Sequence, residues 1–330
     1  MAIKALAWMV RVFEPPVYCY HEIVHNQHVV EQFKAQGVVF IDDVAQLPPG
    51  APLMLSAHGS APQVVQAARE RAGVVVNAVC PLVTKVHHEV KVRSKKGFDI
   101  VYIGHRGHEE AIGTMAVAPE SVHLVQSEQD VAKLSIAQRP VALIAQTTLS
   151  HAEWAGIRDR VKERFPQVWM PNRGDLCFAT TNRQAALQAI ASQADCVVVI
   201  GSSNSSNTVA LTKVATAAGC PRVVRINCAK ELPDDLSGIV GVTAGASAPE
   251  ELVKEVLAFL NPLEGVQEVS WTEEDEYFPP PPELRDLFPA LGAVLALGLG
   301  APASPYTPLA DDRTSGASQV LAELAPNSEL

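Results

Sequence analysis

Val74-Val-Val-Asn-Ala-Val-Cys-Pro-Leu-Val-Thr-Lys-Val-His-His88 decides how the rest of the chain is read. An apolar, β-branched run delivers Cys80 to a turn. Pro81 then suits the first position of a helix, because proline lacks the N–H that a first turn leaves unpaired in any case. Cys80 is thereby placed at a helix N-terminus. There the dipole and the free N–H groups favour an anionic sulfur, as a metal ligand or as a nucleophile. A single cysteine of this kind is more often a buried structural residue. Recurrence shifts the balance: Gly174-Asp-Leu-Cys-Phe-Ala-Thr-Thr-Asn-Arg-Gln184 puts Cys177 just ahead of a second helical pattern, beside Thr, Asn and Arg side chains.

Outward from these two stretches the same grammar repeats. Residues 2–13 carry an amphipathic helical pattern without an N-cap of its own, and 17–20 read as a strand running into His21-Glu-Ile-Val-His-Asn26. A helix over 27–36, a strand over 38–41 and a strand entering Ser56-Ala-His-Gly59 follow, then a helix over 61–71. Strands at 99–104, 140–145, 196–200 and 239–242 each run into a polar turn and a helix. Repeated β-α alternation predicts parallel sheets with helices on their faces. Ligands of such sheets collect outside the carboxyl ends of the strands, and every polar turn named here lies at that end, which predicts one central cavity.

Each turn has an ordinary explanation beside a functional one. Ser203 to Asn207 offers N-caps, yet five consecutive hydroxyl and amide side chains exceed what capping needs and suit a phosphate or diphosphate. Thr147, Thr148 and Ser247 extend that chemistry. His25, His58 and His108 are either satisfied structural histidines or donors to an anion. Glu110, a carboxylate early in a helix, either compensates the dipole or, if burial raises its pKa, donates a proton.

Composition narrows the classes. The chain has 330 residues, is 48% hydrophobic and carries a formal charge of -10. It has length enough for two or three domains with a sizeable core. An acidic balance in which no Lys/Arg stripe dominates any segment argues against a nucleic-acid footprint, and the basic clusters at 91–96 and 158–164 read as solvated faces. No export signal is visible. Six irregularly spaced cysteines then fit reduced thiols or a metal centre in the cytoplasm. The apolar run 288–300 is too short to span a bilayer, so no membrane partner is expected.

The ordered set 21–26, 56–59, Cys-Pro-Leu-Val-Thr-Lys-Val-His (80–87), Ile-Gly-His-Arg-Gly-His-Glu (103–109), Gln-Thr-Thr-Leu-Ser (146–150), Cys-Phe-Ala-Thr-Thr-Asn-Arg-Gln (177–184), Gly-Ser-Ser-Asn-Ser-Ser-Asn (201–207) and Gly-Val-Thr-Ala-Gly-Ala-Ser-Ala-Pro (241–249) resembles the 4-hydroxy-3-methylbut-2-enyl diphosphate reductases, the IspH/LytB family. The likeness covers roughly residues 2–285. It implies an α/β fold of three similar domains with mainly parallel sheets, in a trefoil about a central cavity. The expected spans are 1–97, 98–191 and 192–265, with 266–285 returning to the first domain and 286–330 a disordered tail. It also implies a [4Fe–4S] cluster with one open iron, and reductive dehydroxylation of the allylic diphosphate to isopentenyl and dimethylallyl diphosphates. Electrons would come from a ferredoxin- or flavodoxin-type donor.

By position, the resemblance makes Cys80 and Cys177 cluster ligands. It assigns His25, His58, His108, Ser205, Ser206, Asn207 and Ser247 to the diphosphate substrate, Thr148 to the substrate hydroxyl and Glu110 to proton delivery. The family's first ligand segment would precede residue 2 and is not in this sequence, so the chain as written is expected to bind iron poorly. Cys19 is a poor substitute, since strand geometry aims it at the sheet core. Asn77, Val79 and Ala116 stand where Asp, Thr and Gly are usual. A cluster-free, diphosphate-binding relative is the alternative reading. A thiol enzyme built on Cys80 ranks last because no base and orienter accompany it.

Overall fold

The computed structural model describes residues 1–136, 139–172, 174–272, 277–287, 290 and 316–322. It contains three parallel sheets. Val17–Tyr20 (β1), Val38–Ile41 (β2), Pro52–Leu55 (β3) and Val74–Asn77 (β4) lie in the order β2-β1-β3-β4. Asp99–Ile103 (β5), Val122–Val125 (β6) and Val141–Ala145 (β7) lie in the order β6-β5-β7. Trp169 adds one parallel bridge to Ala142 on the far edge of β7. Cys196–Ile200 (β8), Val223–Ile226 (β9) and Val240–Ala244 (β10) lie in the order β10-β8-β9. In each sheet the first strand of the unit sits between the second and the third, so one winding occurs three times.

Connecting helices are Ala2–Val12 (α1), Gln27–Ala35 (α2), Pro62–Arg71 (α3), Pro81–Lys95 (α4), Glu109–Val117 (α5), Glu128–Lys133 (α6), His151–Arg164 (α7), Phe178–Ala191 (α8), Ser206–Ala217 (α9) and Glu250–Leu260 (α10). The central strands β5 and β8 and the strand β7 are buried at all five positions, which is why they read as unbroken apolar runs rather than as alternation. Register carries this regularity to the site. Tyr20 pairs with Leu55 and Leu55 with Asn77, Ile103 with Ala145, and Ile200 with Ala244. The strands of each sheet therefore end flush, and their turns leave from one edge, where the strand order reverses and a crevice opens.

The later residues return to the first unit. Leu284 is fully buried in the core that holds α1, Cys19 and Met54, with Leu287 packed beside it. The expected disordered tail, 286–330, lies mostly outside the described residues, as does the apolar run 288–300. Within it Ala317–Ala322 is a short helix whose Val320 and Leu321 join the same core. Among the described residues no helix is long and apolar enough to cross a membrane.

Candidate active site

Six helices begin at the flush strand ends, and their N-caps are the residues singled out from sequence or their neighbours. Asn26 caps α2, Cys80 α4, His108 α5, Ser150 α7, Cys177 α8 and Ser205 α9. A helix N-terminus offers unpaired N–H groups and positive potential, so gathering several favours anions. Hydrogen bonds stitch the three units together here. Gln27 N–H donates to Ser202 Oγ at 2.8 Å, Ser247 Oγ–H to the His25 carbonyl at 3.0 Å, and Asn204 Nδ2 to Glu22 Oε2 at 2.9 Å. Gln146 Nε2 reaches both Thr148 Oγ1 (2.9 Å) and Ser206 Oγ (3.3 Å), while its Oε1 accepts from His105 N–H at 2.9 Å.

The three histidines converge. The rings of His25 and His58 stack with centroids 3.9 Å apart, and His108 lies edge-on at 5.3 and 6.0 Å. His58 Nδ1 is 2.8 Å from Glu109 Oε2, and His25 Nδ1 is 3.1 Å from Glu22 Oε2. Each carboxylate fixes the proton on Nδ1 and leaves Nε2 for a ligand. In His108 the roles reverse: Nδ1 accepts the Glu110 N–H at 3.2 Å, so Nε2 carries the proton of the neutral ring. Burial pushes His108 down to about 3 and also lowers His58, where Glu109 opposes it. Burial works to raise Glu109, but the His58 hydrogen bond and the nearby rings outweigh it and its carboxyl stays low. His25, His58 and Glu109 offer ligand atoms within 4.8 Å of one another. The two rings are only 14° from parallel, however, so their lone pairs do not meet at one ion. An incoming anion, by contrast, would favour the protonated forms of His58 and His108 and recruit their N–H donors.

Packing makes this convergence rigid. Gly59 takes φ +84, and a Cβ on Gly113 would lie 2.5 Å from the Gly59 carbonyl oxygen. The turn bearing His58 thus rests directly on α5, whose start bears His108, Glu109 and Glu110. Glu110 is 2% exposed. Its Oε1 accepts Thr147 N–H at 2.7 Å and its Oε2 faces Thr147 Oγ1 at 2.9 Å. Burial pushes its carboxyl up to about 7 against those hydrogen bonds. Asn207 is also buried, and both atoms of its amide lack a partner, an unmet demand that a ligand oxygen would satisfy.

Cys80 and Cys177 are unpaired, half-buried thiols. Burial raises both pKa values, opposed by N–H groups of Leu82 and Val83 for Cys80, and of Ala179 and Thr180 for Cys177. Here the structure corrects the simple dipole expectation: desolvation outweighs the helix N-terminus, and a thiolate awaits a cation. Cys80 N–H donates to the carbonyl of Ala57, next to His58, at 3.0 Å, and Cys177 N–H to the carbonyl of Thr147, the partner of Glu110, at 2.8 Å, which ties both caps to the turns of this site. Lys85 of α4 links their loops through the Gly174 carbonyl (3.2 Å) and Asp175 Oδ1 (3.5 Å), and Asp175 Oδ2 accepts Ala145 N–H at 3.0 Å. Soft thiolates backed by N–H donors fit an iron–sulfur centre. Among the described residues they are the two cysteines suited to it. Cys19 is fully buried in β1, Cys196 and Cys220 lie buried in the third unit, and Cys228 starts a single 3-10 turn.

Glu22, Glu109, Thr147 as the partner of Glu110, Gln146 as a bridge and the Lys85–Asp175 link emerge only in the structure. The doublet Glu109-Glu110 after His108 was the visible hint, since a dipole needs one carboxylate.

The LytB protein family profile matches residues 1–261. A 4-hydroxy-3-methylbut-2-enyl diphosphate reductase of Bifidobacterium longum is 45% identical over 285 residues, covering 82% of this chain and 81% of that one. The protein of that name from Methylibium petroleiphilum is 45% identical over 291 residues, 86% of this chain and 88% of its own. A solved structure, the E-1-hydroxy-2-methyl-but-2-enyl-4-diphosphate reductase of Plasmodium falciparum, superposes with a TM-score of 0.84 at 32% identity, covering 88% of this chain and 93% of that one. A second, described as the terminal enzyme of the non-mevalonate pathway, gives 0.58 at 26% identity, covering 79% and 93%. With this topology, this site and these matches, the chain belongs to the LytB family.

Proposed function

We propose that the chain reduces 4-hydroxy-3-methylbut-2-enyl diphosphate to isopentenyl and dimethylallyl diphosphates, the last step of the non-mevalonate route to isoprenoids. The observation that carries this reading is the meeting of three histidines, two N-capping thiols and a buried, protonatable Glu110 at one junction of three units. In this reading Ser205, Ser206, Asn207 and Ser247 hold the diphosphate together with the Nε2 atoms of His25, His58 and His108. An anion beside His58 and His108 favours their charged forms against the burial that keeps them neutral, so a charge-assisted N–H joins the donors that hold it.

A [4Fe–4S] cluster on Cys80 and Cys177 would supply electrons and a Lewis-acidic iron when bound. The chain's own residues manage the proton. Because Oε1 of Glu110 accepts an N–H, the proton of the neutral acid sits on Oε2, shared with Thr147 Oγ1. A carboxyl poised near 7 donates and is reprotonated readily at neutral pH. Thr148 Oγ1 accepts from Gln146, which leaves its own O–H to the substrate hydroxyl. The electron donor is a ferredoxin- or flavodoxin-type protein. The cytoplasm, which keeps its unpaired thiols reduced, is the compartment.

Product analysis tests the proposal. The protein, preceded by the family's cysteine-bearing segment and reconstituted anaerobically with iron and sulfide, is given substrate and reduced methyl viologen. Formation of both five-carbon diphosphates supports the reading. Unchanged substrate from a protein that holds its iron and binds diphosphate refutes it.

A further inference from the structure

Charge is distributed unevenly over this acidic chain. Residues 62–96 carry seven Lys or Arg against two carboxylates, Glu70 and Glu89, within a protein of net charge -10. The comparable cluster on α7 is neutralised in place: Arg158 pairs with Asp159 at 2.7 Å, Arg160 with Glu163 at 2.8 Å, and Arg164 caps backbone carbonyls. On α4, Glu89 is taken by Arg93 at 3.4 Å and Asp175 by Lys85. Arg69, Lys91 and Lys95 are exposed and have no ion-pair partner among the described residues. Thr84, His88, Lys91 and Lys95, spaced by four, three and four residues, form one exposed stripe along α4 that begins just after Cys80.

A cavity of about 550 Å³ opens between α3 and the start of α4, lined among others by Gly59, Ser60, Arg69, Val79, Thr84 and His87. Ser60 Oγ and His87 Nε2 are buried there without a hydrogen-bond partner. Its inner wall is the turn that bears Cys80, whose carbonyl accepts from Thr84 N–H at 2.9 Å and Thr84 Oγ1 at 3.2 Å.

Resting on the reductase reading, we infer that the α3–α4 face is the docking surface for the electron donor, a small acidic electron-transfer protein. One of its carboxylates would enter the cavity beside Arg69 and Ser60. The unpaired cations Arg69, Lys91 and Lys95 steer an acidic partner, and the cavity, lined by Val79 and Thr84 on either side of Cys80, brings it to the outer side of that turn, so the surface that attracts the donor adjoins a cluster ligand.

The test is calorimetric titration of the full chain with a purified acidic ferredoxin at two salt concentrations. R69E/K91E/K95E, three exposed sites outside the catalytic and substrate-binding residues, should raise Kd by about tenfold or more and flatten its salt dependence. R158E/R160E/K162E on α7 should leave Kd within about threefold. With the family's cysteine-bearing segment added and the protein reconstituted, turnover with reduced methyl viologen should be the same in both variants as in the parent. Parental affinity in the α3–α4 variant, equal weakening by the α7 variant, or no ferredoxin binding at all would overturn the docking face. A parent that carries the family's cysteine-bearing segment, holds its iron and is still inactive with methyl viologen would refute the reductase reading, while the titration, which needs no turnover, still decides the docking face.

Discussion

Replacing Glu110 by glutamine removes a carboxyl that the fold buries at 2% exposure and holds with the N–H and hydroxyl of Thr147. Burial pushes that carboxyl from its ordinary 4.5 up to about 7, so the fold prefers the neutral acid. Below the ordinary value both folded and unfolded chains are protonated and nothing is lost. As pH rises, the unfolded chain ionises first, and the folded state gives up stability until pH passes the folded value. A displacement of that size is worth roughly 3 kcal/mol. Glutamine keeps an oxygen for Thr147 N–H, turns its amide toward Thr147 Oγ1, and cannot ionise. Urea unfolding of the iron-free protein should therefore find Glu110→Gln within about 1 kcal/mol of the parent near pH 4.5, and up to roughly 3 kcal/mol more stable near pH 8.5. Asp175, pushed up to about 6 by burial, contributes a slope of the same sign in both proteins, so the variant's dependence shrinks without vanishing. Turnover of the reconstituted enzyme should fall by about 10² to 10⁴ while diphosphate affinity persists. A variant whose stability tracks the parent at every pH, or that turns over normally, would refute the assignment.

Other expectations follow from single contacts. In the protein preceded by the family's cysteine-bearing segment, Cys80→Ala and Cys177→Ala should each abolish stable iron binding after reconstitution. Cys19→Ser should leave iron content unchanged yet cost about 1 to 3 kcal/mol in urea, because it buries a hydroxyl in an apolar core. Ser206→Ala, which removes a hydroxyl 3.3 Å from both Gln146 Nε2 and His105 Nδ1, should raise KM more than it lowers kcat, as for a contact made equally by ground and transition states. Gly113→Ala, with its new Cβ 2.5 Å from the Gly59 carbonyl oxygen, should destabilise by about 1 to 3 kcal/mol and weaken diphosphate binding by displacing the His58 turn.

What was legible in the sequence was whatever is coded locally. Val74–Asn77 followed by Cys80 and Pro81 spells strand, cap and helix in consecutive residues, and the strand and helix form over Val74–Asn77 and Pro81–Lys95. The polar turns were legible for the same reason, and their convergence followed from parallel winding. Partners were not legible. His58 meets Glu109 across 51 residues, and Glu110 meets Thr147 across 37. No spacing rule reports such pairs, and Thr147 and Thr148 are equivalent as letters while only Thr147 touches Glu110. Thiol chemistry was misjudged because a helix N-terminus is visible in sequence and the depth of burial around it is not.

The central claim is that turns from three units build a single diphosphate site. Titration of the iron-free chain with 4-hydroxy-3-methylbut-2-enyl diphosphate, against the corresponding diol, measures this most directly. One saturable site per chain is expected, with at least about 100-fold weaker binding of the diol, since each charge-assisted hydrogen bond lost is worth about 1.5 to 3 kcal/mol. Two or three equivalent sites per chain, or a diol that binds as well as the diphosphate, would contradict it.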